Sequence, residues 1–242
     1  MTEILEARNW LGETLRCETC ASYGNHCRQL EACVEDRYAK RIDRFFDRNP
    51  GKAAEYLSHP YFEVRAVAAK HVDPERLPGM MRDRDETVRW SVASRIPEPY
   101  LILMRTDPER EVRIRVAARL PADKLGSMID DPDYYVRQIV ARRMPGEMLP
   151  LLMSDADSEV RKTVAMRIGE DWLIRMLADP DAEVRIEAAK RINPDDLRLL
   201  IDDDDWRIRY EVADRVSPKY LNRLLVDPDQ AVRTRAIERK EQ

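Results

Sequence analysis

Four cysteines, all lying between residues 17 and 33, are the residues whose types and spacing point most directly to chemistry. They form a Cys17-x-x-Cys20 pair followed by Cys27 and Cys33, and no other cysteine occurs in the 242 residues. Thiolates crowded into one short segment can surround a single metal centre, and a Cys-x-x-Cys pair places two of them on one turn. This segment predicts a metal or cluster site with Cys17, Cys20, Cys27 and Cys33 as ligands.

The identity of the metal is open at this point. Zn²⁺ accepts a set of thiolates as readily as a [4Fe–4S] cluster does, and the spacing is not that of the common ferredoxins. Two disulfides or free structural thiols are the alternatives, but clustered cysteines in a reducing compartment favour metal. His26 could replace one thiol, although with four cysteines present we expect it to face solvent or to support a ligand from outside.

Apolar residues flank the cysteines at helical spacing. Those before the cysteines are Ile4, Leu5, Trp10, Leu11 and Leu15, and those after are Leu30, Val34, Tyr38, Ile42, Phe45 and Phe46. The two patterns predict amphipathic helices on both sides of the cysteines. We therefore expect a small helical cysteine domain over residues 1–50 and a second domain over residues 51–242.

The second domain is an internal repeat of 24 residues. An apolar residue followed by Arg recurs eight times without an insertion, at Val64-Arg65, Val88-Arg89, Val112-Arg113, Val136-Arg137, Val160-Arg161, Val184-Arg185, Ile208-Arg209 and Val232-Arg233. Counting this apolar residue as position zero, further apolar residues at +4, +5 and +8 predict an α-helix with one buried stripe. The apolar group that follows, at +13 and +16, has room only for one short helix, which we expect to be of 3₁₀ type.

Charged residues recur in register with the apolar ones. At position −5 stands an Asp in seven copies and His59 in the first, often followed by Pro, and a second acid follows in most copies. We predict that the Asp at −5 caps the helix, with Pro at the first helical position. The last copy has Lys240 at +8 where the others have an apolar residue, which suits a terminal repeat that faces water.

The Arg at +1 falls on the apolar side of its helix, where an unpaired charge would be very costly. We predict that these arginines form a ladder of contacts with the recurring Asp side chains of successive repeats. A second Arg series, at +7, is expected to reach the carbonyls at helix C-termini. A phosphate-binding track is the alternative, but acids recur in equal register and favour structural pairing.

A cysteine segment followed by 24-residue repeats of the form Asp-Pro-Asp-x-x-Val-Arg-x-x-Val-Ala-x-Arg resembles the leucine-rich repeat variant family, over essentially the whole chain. The resemblance implies an all-α fold: a right-handed superhelical solenoid of alternating α- and short 3₁₀-helices. It also implies a [4Fe–4S] cluster on Cys17, Cys20, Cys27 and Cys33, and it supplies no activity. The Asp…Val-Arg half also resembles HEAT repeats, for which this period is too short to hold two full helices.

Composition excludes some classes of function. Lys and Arg together number 42 against 46 Asp and Glu, so the net charge of −4 gives no general attraction to nucleic acid. No apolar run is long enough to span a membrane, and we expect a cytoplasmic monomer. Without a Gly-rich phosphate loop or a nucleophile–base motif, we expect no enzyme.

The run Asp202–Asp205 could suggest a cation site, but Asp203 and Asp205 fall on the acidic positions of the repeat.

The expected function is a scaffold that binds another protein, of unknown identity, on the surface of the solenoid. Aromatic residues at variable positions of the repeat are candidate partner-binding residues, with ordinary packing as the alternative: Trp90, Tyr134, Trp206 and Tyr210. A redox- or iron-sensing adaptor is a second hypothesis, set against a purely structural cluster that seals the end of the stack. A HEAT-like solenoid that binds nucleic acid is the third.

Overall fold

A computed structural model describes residues 6–24 and 26–241, in which all regular secondary structure is helical. The α-helices are α1 (Ala39–Arg48), α2 (Phe62–His71), α3 (Glu86–Ala93), α4 (Glu98–Leu101), α5 (Arg110–Arg119), α6 (Tyr134–Arg143), α7 (Ser158–Ala165), α8 (Glu170–Met176), α9 (Ala182–Ala189), α10 (Trp206–Arg215) and α11 (Gln230–Lys240). The 3₁₀-helices are Cys17–Thr19, Pro50–Tyr56, Pro74–Met80, Ile102–Met104, Ala122–Met128, Gly146–Leu152, Asp196–Leu200 and Pro218–Val226. The predicted all-α fold is confirmed. None of these helices is long and apolar enough to cross a membrane.

The chain divides into two compact units, Met1–Leu120 and Pro121–Gln242. In the first unit, α1 packs against α2, α2 against α3 and α3 against α5. In the second unit, α6, α7, α9, α10 and α11 pack in sequence, each against the next. The dividing point lies inside the repeat array, and the boundary expected between residues 50 and 51 stays a prediction.

Each long helix of the repeats except the last, α11, is followed by a short one, as the sequence predicts. Most of the short helices are 3₁₀, and Pro78 and Pro150 lie inside two of them, where a missing N–H works against α-helical hydrogen bonding. Two short elements are α-helical instead: α4, which continues as a 3₁₀-helix, and α8, which contains neither Pro nor Gly. The alternation of α- and short 3₁₀-helices is thus the rule, with these two exceptions.

The predicted apolar stripe is the core of the repeats. The residue at position zero is fully buried in every copy, with 0% exposure for Val64, Val88, Val112, Val136, Val160, Val184, Ile208 and Val232. Burying one such side chain contributes roughly 1.5–3 kcal/mol, so the stripe stabilises each unit substantially. Lys240, at the end of the stripe, is exposed and donates a hydrogen bond to Asn222.

The starts of the long helices differ from the prediction in which acid caps them. The capping side chain belongs to the acid at −3, which accepts the free N–H groups of the first turn: Asp85, Asp133, Asp157, Asp181, Asp205 and Asp229. The Asp at −5 and the Pro after it lie outside the helix. The physical reason is that the carboxylate at −5 is occupied by an arginine, so the acid at −3 is left to cap.

The helix expected before the cysteines is not formed by the described residues 6–16. They make a turn instead, in which Arg8 and Thr14 form an isolated antiparallel bridge and Gly12 adopts a φ of 86°. A Gly with positive φ interrupts a helix and closes a turn, which overrides the apolar spacing. Ile4 and Leu5, part of the same expected helix, lie outside the described residues.

The helix expected after the cysteines is α1, and it begins later than its apolar pattern suggests. It contains Ile42, Phe45 and Phe46, which are all fully buried, but not Leu30 or Val34. Leu30 has a φ of 65°, a left-handed conformation that no α-helix contains. The helical part of the cysteine domain is therefore α1 together with the short turn at Cys17–Thr19.

Candidate metal centre and interaction surfaces

A 3₁₀ turn places Cys17 and Cys20 next to each other. The turn covers Cys17–Thr19, and the backbone N–H of Cys20 donates to the Cys17 carbonyl at 3.2 Å. Two side chains three positions apart on a 3₁₀ turn project from the same side. The backbone of the Cys-x-x-Cys segment thus holds the two cysteines side by side, as a pair of candidate ligands.

A second, tighter turn brings Cys27 and Cys33 together. Arg28 and Ala32 exchange two backbone hydrogen bonds, of 2.7 and 2.8 Å, so that Cys27 directly precedes the bridge and Cys33 directly follows it. Leu30 at the tip of this turn has a φ of 65°, which is rare for a residue with a branched side chain. The strained tip allows five residues to separate two cysteines that lie across from each other.

His26 precedes this second turn with a φ of 49° and an exposed side chain. Exposure to solvent is one of the two placements expected for this side chain. No glycine marks the left-handed conformations of His26 and Leu30, so sequence reasoning had no signal for the shape of the turn.

Electrostatic effects connect the two pairs of cysteines. Burial raises the pKa of Cys17, and the neighbouring Cys27, Glu18 and Cys20 raise it further. Burial also raises the pKa of Cys33 to about 12; the N–H groups of Glu35 and Asp36 oppose the shift, and the charges of Asp36 and Cys20 add to it. Cys17 thus lies close enough to Cys20 and Cys27, and Cys33 close enough to Cys20, for the charge on one sulphur to raise the pKa of the other.

The donor set fits a metal centre that binds thiolates. A site in which burial and like charge both oppose ionisation needs a cation to stabilise the thiolates, and N–H groups directed at a sulphur are the usual support for a ligand. Among residues 6–24 and 26–241, however, no three His, Cys, Asp or Glu side chains are already gathered at metal-binding positions. The two turns place Cys17 beside Cys20 and Cys27 across from Cys33, which makes these four cysteines the candidate ligands.

A buried ion pair holds the chain that follows Cys33. Asp36 is fully buried and accepts a 2.8 Å hydrogen bond from Arg41, on α1, and another from the Tyr38 backbone at 3.0 Å. The N–H of Cys33 donates to the carbonyl of Arg41 at 3.0 Å. Because both contacts end on α1, this helix positions Cys33 directly.

Aromatic residues join the cysteine domain to the first repeat. The ring of Trp10 stacks on Tyr61 at a centroid distance of 5.7 Å and meets His59 edge-on at 4.7 Å. The hydroxyl of Tyr61 donates to the carbonyl of Arg37 at 3.0 Å. His59 occupies the position that an Asp holds in the later repeats. It packs against Trp10 at this junction, whereas the later Asp residues accept hydrogen bonds from an arginine of the preceding repeat.

The predicted Asp–Arg ladder is present in both units. The Arg at +1 donates from Nε and Nη2 to both oxygens of the Asp 18 residues later, at 2.7–3.1 Å, in the pairs Arg65–Asp83, Arg89–Asp107, Arg137–Asp155, Arg161–Asp179, Arg185–Asp203 and Arg209–Asp227. Its Nη1 donates to the carbonyl of the residue at −5 in its own repeat, for example from Arg89 to Asp83 at 2.9 Å. Each arginine thus joins two successive repeats, with bidentate geometry.

The acidity of the ladder carboxyls reflects this pairing. Burial raises the pKa of Asp83, but the hydrogen bonds from Arg65 and from the Asp85 N–H, with the Arg65 charge, outweigh burial and leave the pKa below its ordinary value. Asp155 and Asp227 show the same balance with their own arginines. The carboxylates are therefore held in the charged form.

The second arginine series also has the predicted structural role. Arg191, at +7, donates to two carbonyls near the C-terminus of the long helix in the preceding repeat, 23 and 26 residues earlier, those of Ile168 and Ala165. The same contacts are made by Arg95, Arg119, Arg215 and Arg239. These guanidinium groups satisfy carbonyls that a helix leaves free at its end.

The candidate partner-binding aromatics differ in how exposed they are. Trp90 is half-buried, with the Arg115 guanidinium 4.4 Å from its ring centroid. Tyr134 is 43% exposed, and Trp206 and Tyr210 are 48% and 40% exposed. Trp206 and Tyr210 lie four positions apart on α10 and therefore share one face of that helix. Trp90 fits ordinary packing, whereas the α10 pair forms an open aromatic surface.

Comparison with known proteins agrees with this architecture. A solved structure described as a leucine-rich repeat variant with a novel repetitive structural motif is 40% identical, covers 93% of this chain and 98% of its own, and superposes with a TM-score of 0.87. The chain belongs to the leucine-rich repeat variant family. Residues 7–55 match a family model described as the FeS4 cluster of the LRV protein, and this leucine-rich repeat variant has its four cysteines inside that segment.

A second relative is known only by its gene's position. It is an uncharacterised 27.7 kDa protein from the nifB 3′ region of Rhodobacter capsulatus, 43% identical over 101 residues. The match covers 40% of this leucine-rich repeat variant chain and 41% of the relative, so it spans less than half the length of either protein.

Proposed function

We propose that Cys17, Cys20, Cys27 and Cys33 hold a [4Fe–4S] cluster. The observation that carries this proposal is the pair of turns that places Cys17 beside Cys20 and Cys27 across from Cys33, inside a segment matching an FeS4-cluster family model. A cluster held by four thiolates can accept and donate one electron. Zinc on the same thiolates is the alternative, and it would leave the domain purely structural.

The ligand set is tested by changing each cysteine to Ser in turn, with anaerobic purification and measurement of iron and acid-labile sulphide per chain. We expect each variant to lose most of its iron, because oxygen is a poorer ligand than sulphur for this centre. The control is His26→Ala, which changes an exposed residue of the same loop and should keep the full iron content. Retention of iron in two or more cysteine variants would contradict the ligand set.

We further propose that the repeats serve as a scaffold for another protein, and that the chain has no catalytic activity of its own. The exposed face of α10, with Trp206 and Tyr210, is the best candidate contact surface, since large amphipathic rings dominate protein interfaces. Nucleic acid is a poorer candidate partner, because both repeated arginine series already donate to carboxylates and carbonyls of the chain itself.

A pull-down from the native host extract tests the scaffold. Replacing Trp206 and Tyr210 together with Ser should remove the captured partners, because truncating central aromatic residues typically costs an interface 2 kcal/mol or more, roughly a 30-fold loss of affinity. The matched control is Tyr100→Ser, which removes an aromatic ring of 39% exposure from α4 in the other unit. Partners that survive the double change and disappear with the control would place the surface elsewhere.

A redox- or iron-sensing adaptor is the second candidate. It is favoured by the contacts that join the cysteine domain to the first repeat, namely Trp10 with Tyr61 and Tyr61 with Arg37. If the chain senses cluster state, a captured partner should bind the loaded and the chelated protein with different affinities. Equal affinity for both forms would leave the cluster with a structural role only.

A further inference from the structure

The loop between the two turns of the cysteine site is held by Ser22. This residue is only 5% exposed, and its backbone carbonyl accepts a contact from the Cys27 thiol at 3.6 Å. The next N–H along the chain, from Tyr23, donates to the Cys20 carbonyl at 3.0 Å. Ser22 therefore lies between Cys20 and Cys27: its own carbonyl contacts the Cys27 thiol, and the residue that follows it is bonded to Cys20.

The Ser22 side chain is in turn held by the first part of the solenoid. Its hydroxyl lies 2.8 Å from the hydroxyl of Tyr56, the last residue of the 3₁₀-helix Pro50–Tyr56. The Tyr56 ring packs edge-on against Phe45 at 6.0 Å and Phe46 at 5.5 Å, and both phenylalanines are fully buried on α1. The ring is fixed by this packing, so the hydroxyl has a fixed direction.

We propose that Tyr56 is a positioning residue for the four-cysteine site: through Ser22 it holds the loop bearing Cys20 and Cys27 against the first repeat. The inference rests on the proposed function, since it concerns how the metal ligands are supported. Groups that orient the ligands from outside commonly change metal affinity when they are removed. Tyr56 lies 23 residues beyond the last cysteine, at a position that motif analysis does not reach.

The test uses the full-length, metal-loaded protein and three single substitutions. Tyr56→Phe removes one hydroxyl and keeps the packed ring, and Ser22→Ala removes the partner hydroxyl while keeping the carbonyl near Cys27. Tyr23→Phe is the matched control, because this tyrosine lies in the same loop, is 65% exposed and has no hydrogen bond from its hydroxyl within the described residues. The double variant, Tyr56→Phe with Ser22→Ala, completes a double-mutant cycle.

Two quantities are measured for each protein: the rate of metal transfer to an excess of chelator, and the visible circular dichroism of the loaded site. We expect Tyr56→Phe and Ser22→Ala each to release metal about 3- to 10-fold faster, the loss corresponding to one hydrogen bond. The double variant should be no faster than the singles, because both remove the same contact. The dichroism should change in both singles, and Tyr23→Phe should match the wild type in rate and spectrum.

The inference is overturned if Tyr56→Phe releases metal at the wild-type rate. It is also overturned if the effects of Tyr56→Phe and Ser22→Ala on the release rate add in the double variant. If the wild type holds zinc, the rate of metal transfer to chelator tests the inference by itself, without the dichroism. A wild-type chain that holds neither iron nor zinc overturns the proposed function, and this inference with it. Metal analysis of the wild type therefore distinguishes a chain that binds no metal from a loaded chain whose release rate does not depend on Tyr56.

Discussion

Arg161 shows at the scale of one residue why a charge is stable on the apolar side of these helices. Its Nε and Nη2 donate to the two oxygens of Asp179 at 2.7 and 2.9 Å, and its Nη1 donates to the Asp155 carbonyl at 2.8 Å. Planar, bidentate pairing of this kind compensates for the loss of water around both charges, which a single-point contact would not do. The arginines are therefore structural residues, and we do not expect them to be free for a phosphate ligand.

Replacing Arg161 with Met should lower the free energy of unfolding by about 3 kcal/mol, because Asp179 would be left buried and unpaired. The control is Arg142→Met, which removes an exposed guanidinium from α6 and should change stability by no more than about 0.5 kcal/mol. Urea unfolding of both variants at neutral pH measures the difference. Equal stabilities would mean that the ladder contributes little.

The same pairs predict how stability changes in acid. The pKa values of Asp83, Asp155 and Asp227 are lower in the folded protein than the value of about 3.9 in an unfolded chain. Their contribution is therefore fully present above about pH 4 and is lost as the pH falls through the lowered folded values, because the unfolded chain then binds more protons. Urea unfolding between pH 7 and pH 2.5 should show this loss.

A variant without one arginine provides the control for the acid effect. In Arg137→Met, Asp155 loses its main hydrogen-bond donor, so its folded pKa should rise and the acid-dependent loss should become shallower. Unfolding curves for wild type and variant that remain parallel below about pH 4 would contradict the linkage between the pairs and acid stability.

At the scale of the helix, the two acids before α7 have different functions. Asp155 pairs with Arg137 of the preceding repeat and also accepts the N–H of Asp157, whereas Asp157 caps α7 by accepting the N–H of Glu159. One acid therefore fixes a repeat against its neighbour, and the other starts the helix.

Substitution of each acid with Ala should separate these functions. Asp157→Ala removes a cap and should cost about 1 kcal/mol, whereas Asp155→Ala leaves a guanidinium without its carboxylate and should cost about 3 kcal/mol. Thermal or urea unfolding of the two variants gives the comparison, in which each variant serves as the control for the other. A larger cost for Asp157→Ala than for Asp155→Ala would show that the helix cap contributes more to stability than the ion pair of the Asp at −5.

The elements of the repeats could be predicted from sequence because the same physical constraints return every 24 residues. The buried Val, the pairing of Arg with Asp and the short 3₁₀-helices all follow from spacing and from the cost of burying a charge. The assignment of the caps could not be predicted, since both acids are good capping residues and only the tertiary contact of Asp155 distinguishes them.

The cysteine segment was less predictable for a different reason. Its turns depend on positive φ angles at His26 and Leu30, residues that carry no local signal for that conformation. Trp10 and Leu11 follow a helical spacing, but the nearby Gly12 closes a turn. The four candidate ligands could be proposed from residue type alone, whereas the two turns that pair them could not be predicted.

At the scale of the whole molecule, the cysteine domain is a structural part of the first unit and not an independent attachment. Asp36 and Arg41 hold Cys33 to α1, and Tyr61 and Trp10 join the domain to the first repeat. A centre bound by the thiolates would stabilise this whole region, since ligands that bind only the folded state add their binding energy to folding.

Removing the metal should therefore lower the thermal unfolding midpoint of the protein. We expect the chelated wild type to unfold several degrees lower than the loaded form, as a loss of a few kcal/mol does in a domain of this size. A variant with all four cysteines changed to Ser is the control, and chelator should leave its midpoint unchanged. Identical midpoints for loaded and chelated wild type would show that the centre does not stabilise the fold.

The most direct test of the central claim is the metal content of the wild-type protein purified without oxygen. Iron, zinc and acid-labile sulphide are measured per chain, together with a visible spectrum before and after dithionite. The account predicts about four irons and four sulphides, with broad absorbance that bleaches on reduction. One zinc without sulphide would contradict it and would leave a scaffold whose N-terminal domain has only a structural metal.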